Sequence, residues 1–201
     1  MDSLFDGYRR FRETVWPSER ARYEALSGGQ RPHTLVLACS DSRVDPQTIF
    51  GAAPGELYVI RNVAALAPPY EPDAGYHGVS AALEFGVRLL KVSRLVVLAH
   101  GRCGGVKAMI DGAPPTARDF LPKWMEIAEP VLWPIGVPTD PERHLCYFEK
   151  EVLALTLRNL MTFPWIRSRV ESGDLSLHGM RFDIHTGVLS RLVDDRLVPV
   201  A

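Results

Sequence analysis

Three short apolar runs, Thr34 to Ala38, Glu56 to Ile60 and Arg94 to Ala99, carry Val, Ile and Leu at successive positions without the apolar–polar alternation of a half-buried strand. Such runs suit strands buried on both faces, which means a parallel sheet covered by helices, and this restricts the fold more than any bulk property. Between the second and third runs, Val79, Leu83, Val87 and Leu90 recur at helical spacing within Tyr76 to Lys91. A helix there is a crossover, and strand, helix and strand together form a βαβ unit. The expected class is therefore α/β, a mostly parallel central sheet flanked by helices.

The flanking segments fill in that frame. Ser3 to Leu26 reads as helical with a break at Trp16-Pro17-Ser18-Glu19, where proline suits a first turn, and the arm of residues 1–29 is free to clasp a partner subunit. A helix should open at Cys103-Gly104-Gly105-Val106. A proline-interrupted stretch from Pro114 to Pro141 leads to a long amphipathic helix, Glu142 to Met161, and Pro164 to Ser172 forms another. Met180, Phe182 and Ile184, then a His185-Thr186-Gly187 turn, then Val188 to Val193, predict an antiparallel hairpin at a sheet edge. No repeat, low-complexity tract or linker interrupts residues 1–201, so one domain is expected.

Composition excludes several functions. With 23 basic against 24 acidic residues and a net charge of -1, no stretch concentrates positive charge, so nucleic acid and anionic membranes are not expected partners. No apolar run is long enough to cross a bilayer, and Met1 to Tyr23 lacks the pattern of a secretory leader, so a cytoplasmic location is expected. Three cysteines suit metal binding or burial better than a disulfide framework. Cys146, among Leu145, Tyr147 and Phe148, reads as a small core residue.

The other two cysteines end predicted strands. Cys39-Ser40-Asp41-Ser42-Arg43 follows the first run, and His100-Gly101-Arg102-Cys103-Gly104-Gly105 follows the third. Ligands of open α/β sheets collect at the carboxyl ends of strands where strand order reverses, and neighbouring parallel strands lie about 5 Å apart. Two thiols and an imidazole brought together there make a three-ligand zinc set with a fourth position open to water. A catalytic Cys103 with His100 as base is an alternative, but it leaves Cys39, Asp41 and Arg43 without roles. A closed structural zinc site wants a fourth Cys or His. Asp41 and Arg43, two apart at a strand exit, can pair, so Asp41 either ligates the metal or accepts a hydrogen bond from its water; Asp45 before Pro46 reads as a helix cap.

The segments Ala38-Cys39-Ser40-Asp41-Ser42-Arg43-Val44, Pro54-Gly55-Glu56, Arg61-Asn62-Val63-Ala64 and His100 to Val106 closely resemble β-class carbonic anhydrase from about Gln30 to Asp111. The resemblance implies reversible hydration of carbon dioxide to bicarbonate and a proton, with one Zn2+ per chain on Cys39, His100 and Cys103. A zinc-bound hydroxide would be the nucleophile, oriented by an Asp41–Arg43 dyad. It further implies a substrate pocket formed by Gln30, Tyr58, Val63, Phe85 and Gly104, in part from a facing subunit, and a homodimer or dimer of dimers. Some members carry a tryptophan three residues before the first zinc cysteine, where a bicarbonate site locks the aspartate onto zinc; Val36 stands here, so an open site is expected. Phe85 replaces a tyrosine found in other members. Two thiolate ligands make the bound water less acidic than an all-histidine set would, so activity should rise on the alkaline side. His33 and His77 are candidates for the proton shuttle. Hydrolysis of an analogue such as carbonyl sulfide, or an inactive zinc-binding relative, are the alternative readings.

Overall fold

A computed structural model describes residues 1–73, 75–132 and 136–200 of the chain. Residues 133–135, within the proline-interrupted stretch, lie outside the described residues. Six strands form one sheet in the order β2-β1-β3-β4-β5-β6, where β1 is Thr34–Cys39, β2 Leu57–Asn62, β3 Arg94–His100, β4 Ser176–Phe182, β5 Leu189–Val193 and β6 Arg196–Pro199. The first four strands run parallel, and β5 and β6 are antiparallel.

The apolar runs become the centre of the sheet because both faces of β1 and β3 are covered. Leu35 to Ala38 are all fully buried, as are Leu95, Val97 and Leu98. Side chains alternate between faces along each strand, so Leu35, Leu37, Leu95 and Val97 join one core while Val36, Ala38, Val96 and Leu98 join another. The first core packs against α4 (Gly78–Glu84), α7 (Pro141–Leu160) and α8 (Pro164–Glu171), through Leu83, Leu153, Leu160 and Ile166. The second includes Ile49 and Phe50 of α3 (Pro46–Phe50), whose start is capped by Asp45 Oδ2 accepting from Thr48 N at 2.8 Å. The cap stands where the sequence puts it.

Sheet order creates the crevice. From β1 the chain passes to β2 on one side, and the crossover through α4 returns over β1 to β3, which then leads to β4 on the other side. Strand order therefore reverses between β1 and β3, and their carboxyl ends, at Cys39 and His100, flank the switch point.

Three expectations are modified. The N-terminal segment is not broken at Trp16: α1 (Asp2–Arg10) passes through a π-helical turn, Phe11–Val15, into α2 (Trp16–Leu26). Pro17 lacks an N–H and its ring crowds the carbonyl four residues back, and the widened turn just before it absorbs both effects. The crossover helix likewise ends in a π-helical turn, Phe85–Leu89. At the C-terminus, β4 is interior beside β3, and the hairpin to β5 is followed by a second, tight turn at Asp194 and Asp195, both left-handed with φ 46° and 61°, which adds β6 as the edge. Among the described residues no helix is long and apolar enough to cross a membrane.

Candidate metal centre

Each wall of the switch-point crevice is built from a strand end and the turn after it. Beyond β1 the loop is gathered by Arg61 of β2, which donates to the carbonyls of Cys39 (2.9 Å), Asp41 (2.7 Å) and Val44 (2.8 Å). Asn62 closes the next turn through its own amide, donating to Leu66 O at 2.7 Å and accepting from Leu66 N at 2.9 Å. That turn holds Ala64 and Ala65 left-handed, φ 65° and 54°, a conformation costly for residues with a Cβ and kept only where the surroundings enforce it. The start of α5 (Gly104–Asp111) presses on it: a Cβ on Gly105 would lie 2.8 Å from Val63 Cγ1 and 3.1 Å from Ala64 Cβ. Val63-Ala64 and Gly105 are thus two faces of one close contact.

Into this crevice point three buried ligand groups. The Cys39 and Cys103 sulfurs lie 3.9 Å apart, and with a nitrogen of His100 they fall within 4.8 Å of one another, a group that could hold a metal ion. Two sulfurs each about 2.3 Å from a tetrahedral zinc sit roughly 3.8 Å apart, so the observed spacing is that of a ligand pair. His100 Nδ1 donates to the Gly101 carbonyl at 2.9 Å, which orients the ring and leaves Nε2 aimed inward. Nε2 is buried and, among the described residues, without a hydrogen-bond partner, the state of a nitrogen shaped to ligate. Hydrogen bonding to Cys103 brings the Cys39 thiol down to about 4, while Cys103 is pushed far up by Cys39 and by burial. Burial pulls the His100 imidazole down, but Cys39, the Gly101 carbonyl and Asp41 outweigh it and leave it raised. A cation replaces these protons, which is why binding of zinc by such groups releases them.

Asp41 lies at the rim, Oδ2 3.8 Å from His100 Nε2. Arg43 grips it in a fork, Nε to Oδ1 at 2.9 Å and an Nη to Oδ2 at 2.6 Å, with the Arg43 backbone N–H adding a third contact at 3.0 Å. The guanidinium holds the Asp41 carboxyl well below the usual carboxylate range, against the opposing effect of burial. Arg43 is itself anchored on the Arg102 carbonyl at 3.2 Å, joining the two ligand loops.

A model of the carbonic anhydrase family matches residues 34–189, more than half of the chain. Over 193 residues the chain is 31% identical to "Beta carbonic anhydrase 3" of Arabidopsis thaliana, covering 93% of this chain and 74% of that protein. The chain belongs to the β-carbonic anhydrase family. Among solved structures it superposes on the β-carbonic anhydrase CcaA with a TM-score of 0.87 and 30% identity, covering 100% of this chain and 99% of that one. It is also similar to a tetrameric β-carbonic anhydrase of Sordaria macrospora, at TM-score 0.75 and 25% identity over 98% of this chain and 100% of that one. β-Carbonic anhydrases use zinc, and the thiol, thiol and imidazole group fits that metal in donor type and spacing.

Within one chain of this β-carbonic anhydrase the other residues singled out from sequence divide. Val63 packs against Gly105 at the start of α5, while a Cβ on Gly104 would meet no atom within 4 Å. Tyr58 and Phe85 stack on each other, ring centroids 6.0 Å apart, but Tyr58 pairs in register with Leu35, four positions or roughly 13 Å before Cys39. Gln30 is exposed in the loop before β1. Val36 is fully buried, in register with Val59 and Val96. His33 precedes β1 at the opposite end of the sheet from Cys39, and His77 is paired with Asp73 at 2.6 Å. Cys146 is half-buried beside Arg181, lining a surface cavity of about 620 Å³ instead of the core. One buried group at the site belongs to none of the sequence motifs: Glu149 of α7, which accepts from Cys103 N at 3.1 Å and pairs with Arg181 at 2.8 Å. Its signal was present, since Glu149, Leu153, Thr156 and Leu160 follow the helical repeat of one buried stripe, and an acid in such a stripe needs a partner.

Proposed function

We propose that the chain catalyses reversible hydration of carbon dioxide, with Cys39, His100 and Cys103 holding one zinc and Asp41 and Arg43 serving the reaction. The observation that carries this reading is the convergence of the three ligand atoms within 4.8 Å beside a carboxylate that Arg43 pins by two side-chain hydrogen bonds. Zinc bound there supplies a Lewis acid that makes water a nucleophile near neutral pH. Asp41 Oδ2, nearest to His100 Nε2, accepts a hydrogen bond from the reacting water and so aims it. Arg43 keeps that carboxylate ionised and fixed along the rim, a role mere metal retention does not need. Val63 and Gly104 supply an uncharged wall suited to a substrate without charge.

A second copy of the chain completes the pocket in this reading, contributing Tyr58 and Phe85, with Gln30 reaching it from the loop before β1. Exposed Leu4, Phe5 and Tyr8 on α1, with Phe85 and Leu89 beyond α4, support a homodimer or a dimer of dimers. Unbridged thiols in the ligand set suit a reducing compartment, which supports a cytoplasmic location. Stopped-flow carbon dioxide hydration with metal analysis on one preparation tests the proposal: about one zinc per chain with hydration is expected, and stoichiometric zinc without hydration refutes it.

A further inference from the structure

The ligand Cys103 depends on a turn of three residues after His100, and that turn is held from behind. Gly101 N donates to Phe182 O at 2.8 Å, Arg102 is left-handed at φ 56°, and Cys103 returns to an extended conformation as the N-cap of α5. A left-handed residue with a side chain is costly, so the neighbours must enforce the turn. Two contacts do so. A Cβ on Gly101 would sit 2.8 Å from an Arg181 Nη, so the Arg181 plane lies directly against that backbone. The Cys103 N–H is taken by Oε1 of Glu149, a residue 1% exposed, whose Oε2 receives Arg181 Nε at 2.8 Å; Arg181 continues to Asp183 Oδ2 at 3.2 Å.

A buried ion pair contributes little net stability compared with an apolar pair of similar volume, so stability alone does not account for this one. What it holds is the backbone from which a ligand sulfur projects. We propose that Glu149, braced by Arg181, is a positioning residue for the Cys103 thiolate and sets how tightly the three-ligand group binds zinc. The proposal rests on the reading of Cys39, His100 and Cys103 as the zinc ligands. Outer-shell partners of this kind are typically worth about 10- to 100-fold in metal affinity.

Two double variants separate positioning from structure. Glu149→Met with Arg181→Met removes both charges and the acceptor for Cys103 N–H, whereas Glu149→Gln with Arg181→Met removes both charges but keeps an acceptor. Zinc dissociation constants are measured by competition with a chromophoric chelator, the sulfur-to-metal charge-transfer bands are recorded with Co2+ as probe, and cooperative unfolding of each metal-free variant is checked. The Met–Met variant is expected to bind zinc about 10- to 100-fold more weakly, with shifted Co2+ bands, while the Gln–Met variant, which keeps the acceptor but loses the brace, falls between it and wild type. Equal affinities and spectra in two folded variants overturn the proposal. Should the Met–Met variant fail to fold, the Gln–Met variant decides alone: weaker zinc binding with shifted Co2+ bands in the folded protein supports the proposal, and wild-type affinity and bands without the brace overturn it. A wild-type chain that binds no zinc refutes the ligand reading instead, so the two failures are distinct.

Discussion

Replacing Asp41 by asparagine tests the proposed chemistry while leaving the three ligand residues untouched. Asp41 accepts from Arg43 Nε, from an Arg43 Nη and from the Arg43 backbone N–H, using both carboxylate oxygens. Asparagine can accept only at its single oxygen, and its NH2 then faces a guanidinium that has donors alone. One arm of the fork is lost, the amide rotates, and Arg43 keeps the single remaining oxygen and the Arg102 carbonyl at 3.2 Å. The group that aims the reacting water is then displaced by something like an ångström and carries no charge. Misplacement on that scale costs about 10²-fold in rate, or about 2.7 kcal/mol of barrier at 1.36 kcal/mol per decade. Because Arg43 holds the Asp41 carboxyl far below neutrality, the aspartate is ionised throughout any working pH range, so the loss should be a constant factor between pH 7 and 9 and not a shifted profile. Stopped-flow hydration at several carbon dioxide concentrations, with zinc counted in the same samples, reads kcat, KM and occupancy together. Unchanged activity in a zinc-loaded Asp41→Asn protein would remove the dyad from the reaction, and loss of the zinc would make Asp41 a ligand instead of an orienting group.

Further outcomes concern stability. Saturating zinc, at about 1,000 times its dissociation constant, should raise the free energy of unfolding by about 4 kcal/mol, read from denaturant midpoints with and without metal; no shift would argue against a preformed site. Asp45→Ala should cost about 1 kcal/mol at pH 7 by removing the α3 cap. Hydrogen bonds from Thr48 lower the Asp45 carboxyl, so its folded value lies below the unfolded value of about 3.9, and the contribution is full above that and lost as pH falls through the folded value. The gap between wild type and Asp45→Ala should therefore narrow in urea titrations below about pH 4; a gap constant to pH 2.5, about 1.4 units under that unfolded value, would contradict this. Gly86→Ala puts a Cβ 2.5 Å from Leu35 Cδ1 and 3.2 Å from the Tyr58 ring, and overpacking of this sort costs about 1–3 kcal/mol, measurable as a lower denaturant midpoint at unchanged slope.

How much of this could be read without coordinates follows from the range over which each signal acts. Burial on both faces is written into consecutive residues, so Leu35 to Ala38 and Leu95 to Leu98 announce a parallel sheet, and the switch point then brings Cys39 and His100 together by topology alone. Asp45 is visible for the same reason, since a cap and the N–H it satisfies are three residues apart. The π-helical turn at Phe11–Val15 is not, because Pro17 permits either a break or a widened turn and only packing selects between them. Tyr58 and Phe85 carry no local mark of what they face, and their own chain stacks them on each other. Glu149 is intermediate. Its place in the stripe of Leu153, Thr156 and Leu160 says that it is buried, and burial says that it is paired, yet Cys103 and Arg181 lie 46 and 32 residues away in opposite directions along the chain. Local sequence therefore declares that such a partner must exist, while the sheet alone, by setting Arg181 beside Ala99 one residue before His100, determines which partner it is.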